Sequence, residues 1–327
     1  MGHLFIVTHT DLDGVGSAAV YVRLARLEKG DYTVVFAEPY NLDEILDSIA
    51  EYIEGGDKLV IADLGPNADT LSGAVETLSK LARRGASIEW YDHHVWAAEE
   101  KEAIKKAGVE VVVDRETCAT GVVAKHAPRI AGLPEPDETI EELVSAVCAA
   151  DLWRWDHHLA PKLFRVVGER KADEWKKVMI EKFASGILWD DEMEARLVEY
   201  VNLELDGFNR VRKSVYVAQR NGCRVASAYK ENGPPSNSFI GAMLLSRYNA
   251  HIAVIARPNG AISLRSRDVD VQAVAKRLGG GGHPRASGAK IGLPLYVRLL
   301  RLLSPRIASR YVASVVLRAS LEEGVCR

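Results

Sequence analysis

LFIVTHTDLDG, residues 4–14, is the stretch from which the fold of the N-terminal half can be inferred. Leu4 to Val7 is an unbroken run of strand-forming residues, and polar residues follow it immediately. Similar apolar runs recur at residues 33–36, 59–62, 88–91 and 109–113. Helical patterns lie between them, for example at residues 16–27, 42–52 and 70–83. Strands that are apolar throughout and alternate with helices predict a doubly wound α/β domain, with a parallel sheet covered on both faces.

The second half of the chain predicts a smaller, mixed α/β domain that follows a helical linker. Residues 190–219 carry apolar side chains at helical spacing and predict one long helix between the domains. Strand patterns follow at residues 223–228, 252–256 and 261–265, and helical patterns at residues 238–248 and 271–278. Pro258-Asn259-Gly260 is a strong hairpin signal. The predicted parts are a catalytic domain at residues 1–188, a linker helix at 189–221, a second domain at 222–292 and a tail at 293–327.

Acidic and imidazole residues occur where three of the predicted strands end and where one predicted helix ends. They are His9, Asp11 and Asp13 after the first strand, Asp63 after the third, Asp92-His93-His94 after the fourth, and Asp151 after a helix at 141–150. Ligands of a parallel sheet bind beyond the carboxyl ends of its strands, so these side chains are expected at one edge. Each cluster alone also fits a helix cap or a solvated turn. Together they favour a divalent-metal site with oxygen and nitrogen ligands, such as a manganese site.

The bulk composition argues against several classes of protein. A net charge of -3 and a pI near 6.3 disfavour binding to long nucleic acid, which depends on positive charge. Cys118, Cys148, Cys223 and Cys326 form no CxxC pair, so neither a disulfide framework nor a structural zinc site is expected. The N-terminus lacks a signal-peptide pattern and no apolar run is long enough to span a bilayer, so we expect a cytoplasmic protein without membrane contact.

The order of these motifs resembles that of the DHH phosphoesterase superfamily. The matching elements are His9-x-Asp11-x-Asp13-Gly14, Asp63, Asp92-His93-His94 and Asp151. A second set of residues resembles the substrate-binding domain of one branch of that family: Arg265-Ser266-Arg267, Gly280-Gly281-Gly282-His283 and Ala286-Ser287-Gly288. The resemblance covers residues 4–292 and points to nanoRNase/pAp-phosphatase enzymes and archaeal RecJ-like exonucleases. A dehydrogenase is disfavoured, because no GxGxxG follows the first strand.

The resemblance implies a role for each of these residues. Two Mn²⁺ ions, or Mg²⁺, would be held by His9, Asp11, Asp13, Asp63, His93 and Asp151. Asp63 would bridge the ions, while the division of Asp11 and Asp13 between them stays open. Asp92 would accept a proton from a ligating imidazole, and His94 would face the phosphate as donor or acid. A terminal phosphate of the substrate would be bound by Arg265, Arg267, Gly280, Gly281, Gly282 and His283.

The function implied is manganese-dependent hydrolysis of short RNA or DNA oligonucleotides from the 3′ end, with cleavage of 3′-phosphoadenosine 5′-phosphate (pAp) as a further activity. The alternative is a phosphatase or phosphodiesterase that acts only on pAp or on linear dinucleotides. A non-catalytic partner of a replication complex is disfavoured, because every expected ligand position is filled.

Three further segments carry open alternatives. Asp156-His157-His158 is a second DHH triplet, but it follows a helical region, so a surface or cleft-lining loop is expected. Ser236 is expected to cap a helix rather than to bind a ligand, and residues 117–120 are expected to line the cleft. The basic, apolar tail fits a homodimer contact and a packed terminal helix equally well.

Overall fold

The computed structural model describes residues 2–168 and 172–326, and the chain divides into two compact units, Met1–Leu197 and Val198–Arg327. Each unit is built around its own β-sheet. Among the described residues, no helix has the length and apolar character needed to cross a membrane.

The first unit contains a five-stranded parallel sheet with the order β2-β1-β3-β4-β5. Its strands are β1 (Leu4–His9), β2 (Tyr32–Ala37), β3 (Lys58–Ala62), β4 (Ser87–Asp92) and β5 (Glu110–Val113). The chain winds outward from β1 to β2 and then crosses to β3 on the other side of β1. This confirms the predicted doubly wound fold and places the switch point, where such sheets bind ligands, between β1 and β3.

Helices cover both faces of this sheet. They are α1 (Leu12–Leu24), α2 (Leu42–Ile49), α3 (Leu71–Arg83), α4 (Ala98–Lys106), α5 (Ala119–Ala131), α6 (Glu138–Asp151), α7 (Ala160–Val167) and α8 (Asp173–Ala184). Successive residues of β1 point to opposite faces, so Leu4 and Ile6 enter the core beneath α1 and α5–α8, while Phe5 and Val7 enter the core beneath α2–α4. α1 begins at Leu12, one turn before the predicted start, because Asp11 caps it.

The long helix α9 (Asp191–Ser214) ends earlier than predicted. Residues 216–220, which were predicted as helix, form strand β6 (Tyr216–Arg220) and pair antiparallel with β7 (Cys223–Tyr229). Asn221 and Gly222 join the two strands, and both have positive φ, +50° and +79°. An Asn-Gly pair between two strands favours a tight hairpin, a local signal that outweighs the helical spacing of the apolar residues.

The second unit contains a six-stranded mixed sheet with the order β10-β11-β9-β8-β7-β6. Its other strands are β8 (Ile252–Ala256), β9 (Ala261–Ser266), β10 (Gly281–His283) and β11 (Ala286–Lys290), and its helices are α10 (Asn237–Arg247), α11 (Val271–Arg277), α12 (Leu295–Leu300) and α13 (Pro305–Glu322). The predicted hairpin at residues 258–260 is confirmed, because β8 and β9 are antiparallel neighbours. Ser236 caps α10 as expected, accepting a hydrogen bond from Phe239 N at 3.2 Å.

The C-terminal helix and the cysteines make contacts that the sequence pattern left open or did not predict. α13 packs Ala308, Val312 and Val316 into the core of the second unit, in agreement with the packed terminal helix that was one of the two alternatives for the tail. Disulfides join Cys223 to Cys326 and, in the first unit, Cys118 to Cys148, each pair with Cα atoms 5.2 Å apart. The prediction of no disulfide framework was wrong, because separations of 30 and 103 residues along the chain say nothing about proximity in space.

Candidate metal centre

The residues predicted to hold metals lie together at the carboxyl edge of the sheet in the first unit. They come from the ends of β1, β3 and β4, from the start of α1 and from the last residue of α6. Their ligand atoms form three overlapping groups, each within 4.8 Å: His9, Asp11 and Asp63; Asp13, His93 and Asp151; and Asp63 and His93 with His94. The structure therefore brings all the predicted ligands together at the switch point of the sheet.

His9 lies among three carboxylates. Its Nδ1 is 3.1 Å from Asp11 Oδ2 and 3.6 Å from Asp63 Oδ2, while its Nε2 is 3.2 Å from Glu38 Oε2. Burial alone would lower the pKa of His9, but the charge and hydrogen bond of Asp11, with the nearby carboxylates of Asp63 and Glu38, together raise it. Glu38 was not predicted from the sequence. The available signal was its place directly after β2, at the same sheet edge.

Asp11 and Asp13 have different partners although they are close in sequence. Asp11 Oδ1 caps α1 by accepting from the N–H groups of Asp13 and Gly14 at 3.0 and 3.1 Å, which leaves Oδ2 facing His9. Asp13 accepts from Ala119 N at 2.7 Å and from Thr120 N and Oγ1 at 2.8 and 2.6 Å. Residues 117–120, which were predicted to line the cleft, thus include the residues that hold Asp13 in place.

Asp63 lies between the imidazoles of His9 and His93. Its Oδ1 is 3.5 Å from His93 Nε2, and its Oδ2 is 3.6 Å from His9 Nδ1. His93 Nε2 also lies 3.8 Å from Asp13 Oδ2 and from Asp151 Oδ2. Asp63 has a φ of +57°, a left-handed conformation that aspartate and asparagine adopt more readily than most residues.

The environment of Asp63 fits the predicted metal pair. Within residues 2–168 and 172–326, Asp63 Oδ2 is buried without a hydrogen-bond partner. Such an oxygen costs several kcal/mol unless a proton or a cation compensates it, roughly 2–7 kcal/mol for a polar group. Carboxylates mixed with imidazoles suit borderline divalent ions, so this donor set is compatible with two cations.

The carboxyl groups of the centre perturb one another strongly. Burial and the charges of Asp11 and Asp13 raise the pKa of Asp63 well above its usual value. Burial, followed by the charges of Asp13 and Asp63, raises the pKa of Asp151 to about 9. Asp11 differs: burial would raise the pKa of its carboxyl, but the charge and hydrogen bond of His9, with the hydrogen bond from Gly14 N, lower it. The raised pKa values of Asp63 and Asp151 favour carboxyl protons that divalent ions would replace.

Asp92 orients His94 rather than the predicted ligand His93. Asp92 Oδ1 accepts from His94 Nδ1 at 2.8 Å, and Oδ2 accepts from Trp96 Nε1 at 2.5 Å. Asp92 is fully buried, whereas the side chain of His94 is 40% exposed. Burial would lower the pKa of His94, but the hydrogen bond and charge of Asp92 raise it. Trp96 was not predicted from the sequence; it lies on the loop after β4, where it reaches Asp92.

In the second unit, the predicted phosphate-binding residues converge across three neighbouring strands. Ala286 on β11 pairs with His283 on β10 and with Arg265 on β9, so the three residues form one row across the sheet. A side chain at Gly241 of α10 would meet the stem of Arg265 at 2.8 Å, so glycine leaves room for the arginine there. The predicted glycine loop is thus partly an edge strand, with Gly280 preceding it and Gly281 and Gly282 within it.

Arg267 lies apart from this row, and the second DHH triplet lies apart from the other predicted ligands. Arg267 is exposed and donates from Nη2 to Ser246 Oγ at 2.5 Å. The second DHH triplet, residues 156–158, lies in the loop between α6 and α7, and its two histidines form a separate group with Glu142. The first triplet is therefore the one that lies with the other predicted ligands.

Comparison with known families agrees with this architecture. The DHH family, N-terminal domain, matches residues 3–151, and the DHHA1 domain matches residues 225–303. The chain belongs to the DHH phosphoesterase superfamily. As a member it is a hydrolase of phosphoric ester bonds, and the two matches fall on the two units described above.

Several characterised proteins resemble this DHH phosphoesterase. Oligoribonuclease NrnB of Bacillus subtilis is 27% identical over 313 residues, which are 90% of this chain and 74% of NrnB. The pGpG-specific phosphodiesterase PggH of Vibrio cholerae has a TM-score of 0.58 at 16% identity, with 94% of this chain and 99% of that chain covered. The exonuclease RecJ bound to manganese has a TM-score of 0.59 at 16% identity, with 95% and 90% covered, so both structures share the fold.

Proposed function

We propose that Asp63 bridges two divalent metal ions, with manganese as the metal. The first ion's other ligands would be His9 and Asp11, and the second ion's would be Asp13, His93 and Asp151. Asp63 carries this assignment, because its two carboxylate oxygens face different imidazoles. The proposal also divides the two aspartates of the first motif, since Asp11 lies beside His9 and Asp13 beside His93.

The chemistry divides between the ions and the residues around them. A pair of such ions supplies Lewis-acid stabilisation of phosphoryl oxygens and lowers the pKa of an attacking water. His94 donates a proton to the leaving oxygen through Nε2, because its Nδ1 is engaged with Asp92. Trp96 holds the second oxygen of Asp92, so the carboxylate cannot turn away from His94. Ala119 and Thr120 keep Asp13 in its ligand position.

We infer that the substrates are short RNA or DNA oligonucleotides, which lose nucleotides from the 3′ end, and that pAp is a further substrate. The similarity to an oligoribonuclease over 90% of the chain supports this substrate class. Arg265 and His283, together with Arg267 and the backbone N–H groups around Gly281 and Gly282, would bind a phosphate of the substrate. The net charge of -3 disfavours long polymers, whose binding depends on positive charge. We propose the cytoplasm as the place of this reaction.

The proposal is tested with oligonucleotides of graded length, labelled at either end. With Mn²⁺, the purified chain is expected to shorten di- to pentanucleotides and to act only weakly on a substrate of about 20 nucleotides. Loss of label from the 3′ end first would establish the polarity. If all di- to pentanucleotides stay intact while pAp is hydrolysed, the small-nucleotide phosphatase of the alternative proposal is correct instead.

Manganese affinity is expected to increase with pH. Burial and neighbouring carboxylates raise the pKa values of Asp63 and Asp151, that of Asp151 to about 9, and so favour protonated carboxyls in the metal-free centre. Mn²⁺ must displace these protons, so its affinity should rise about tenfold per pH unit for each proton released, between about pH 6 and about pH 8. Calorimetric titration in buffers with different ionisation enthalpies measures the protons released. If the Mn²⁺ affinity does not change with pH, Asp63 and Asp151 carry no protons in the metal-free centre and this prediction is wrong.

A further inference from the structure

The loop that follows Asp151 places two tryptophans in an unusual backbone conformation. Trp153 and Trp155 have φ values of +58° and +60°, in the left-handed region that a bulky side chain rarely adopts. Their N–H groups donate to the carbonyls of Ala150 and Ala149 at 3.2 and 2.9 Å, so the turn at the end of α6 is defined by hydrogen bonds. Strained conformations of this kind persist where the surroundings enforce them, and they are common at binding sites.

The side chains of this loop build an ordered aromatic cluster. Trp155 and Phe164 pack against the core of the first unit, with their rings edge to face at 5.5 Å. Trp153 contacts Trp155 edge to face at 4.7 Å and Phe164 at 6.4 Å, yet it remains 41% exposed. Two anchored rings thus support a third, part of whose surface faces solvent. Arg154 between the tryptophans is half exposed.

The cluster lies next to the proposed metal centre. Trp153 is two residues after Asp151, so their Cα atoms are at most about 7.6 Å apart. The base of a nucleotide is joined to its phosphate through a single sugar. A nucleotide whose phosphate lies at the metal ligands therefore brings its base close to the loop that carries Trp153.

We infer that Trp153 is the surface on which a nucleobase stacks when the adjacent phosphate lies at the metal centre. This inference rests on the proposed function and adds a specificity residue to it. Stacking on an aromatic face accepts any base, because every base has a π-face, so the contact would select nucleotides over other phosphate esters without reading sequence. Trp155 and Phe164 would act as positioning residues that hold the Trp153 ring.

The test compares a dinucleotide with the same dinucleotide in which one base is replaced by an abasic sugar. Trp153→Leu keeps apolar bulk over Trp155 and Phe164 but removes the π-face. We expect it to lower kcat/KM on the dinucleotide by about 5- to 150-fold, mainly through KM, and to leave the abasic substrate unchanged. Trp153→Phe should keep most of the preference for a base. Tyr52→Ala, which removes an exposed ring near the amino end of β3, should match the unmutated chain.

Equal losses on both substrates, or no loss on either, would overturn the stacking role while leaving the proposed function intact. Absence of any cleavage by the unmutated chain would instead refute the proposed function. Binding gives a readout that needs no cleavage and no variant. In the unmutated chain, tryptophan fluorescence should be quenched by AMP at lower concentrations than by ribose 5-phosphate. If the two ligands act equally, no base stacks on a tryptophan and the inference is wrong.

Discussion

Asp63→Asn is expected to lower kcat/KM about a thousandfold, because a neutral amide cannot bridge two cations. Loss of the bridged ions removes several kcal/mol of transition-state stabilisation, and each 1.4 kcal/mol lost lowers the rate about tenfold. Asparagine has nearly the same size and also tolerates the left-handed conformation of residue 63, so the fold should persist. Steady-state rates with saturating Mn²⁺ measure the effect on activity.

Thermal unfolding separates loss of metal binding from loss of folding in this variant. For the unmutated chain, Mn²⁺ at about 100 times its Kd should stabilise the first unit by about 2.7 kcal/mol, which raises Tm by roughly 5–10 °C. Asp63→Asn should lose this increase while its metal-free Tm stays the same or rises, since one crowded carboxyl is removed. Asp47→Asn, the same change at an exposed site on α2, should keep both properties. A variant that retains activity and the Mn²⁺-dependent Tm increase would contradict the bridging role.

His94→Gln is expected to lower kcat by about 10²- to 10⁴-fold with little change in KM, the range for loss of a general acid. Glutamine still donates a hydrogen bond but cannot transfer a proton near neutral pH. His126→Gln is the matched control, because His126 also pairs with an aspartate, Asp114, at 3.0 Å in the same unit. Its activity should remain within about threefold of the unmutated chain.

The pH profile tests whether Asp92 acts through His94. Asp92 raises the pKa of His94, so the imidazole stays protonated to higher pH, and activity should fall only when it loses that proton. Asp92→Asn removes the negative charge and should move this alkaline decline to lower pH. Bound cations also lower the pKa of His94, but they do so in both proteins, so the direction of the difference is unaffected. An unchanged alkaline limb would show that His94 is not the acid.

Local patterns in the chain were sufficient for much of the fold and of the site. The apolar run Leu4 to Val7 and its counterparts predicted the parallel sheet, because a strand that is buried on both faces needs apolar residues throughout. The predicted ligands could be placed at one edge for a simple reason: parallel strands all end on the same side. Asp63 was therefore predicted next to His93, and the structure brings it there. Asp151, which ends a helix, also lies beside His93.

Contacts between distant residues were decided only by the tertiary structure. Thr120 binds Asp13 from 107 residues away, and Glu38 reaches His9 from the next strand. Cys118 pairs with Cys148 because α5 and α6 pack together, which no spacing along the chain reveals. The division of Asp11 and Asp13 between His9 and His93 likewise depends on where α5 places its N–H donors. Side-chain types and strand ends predict which residues meet, whereas packing decides which atoms of those residues face each other.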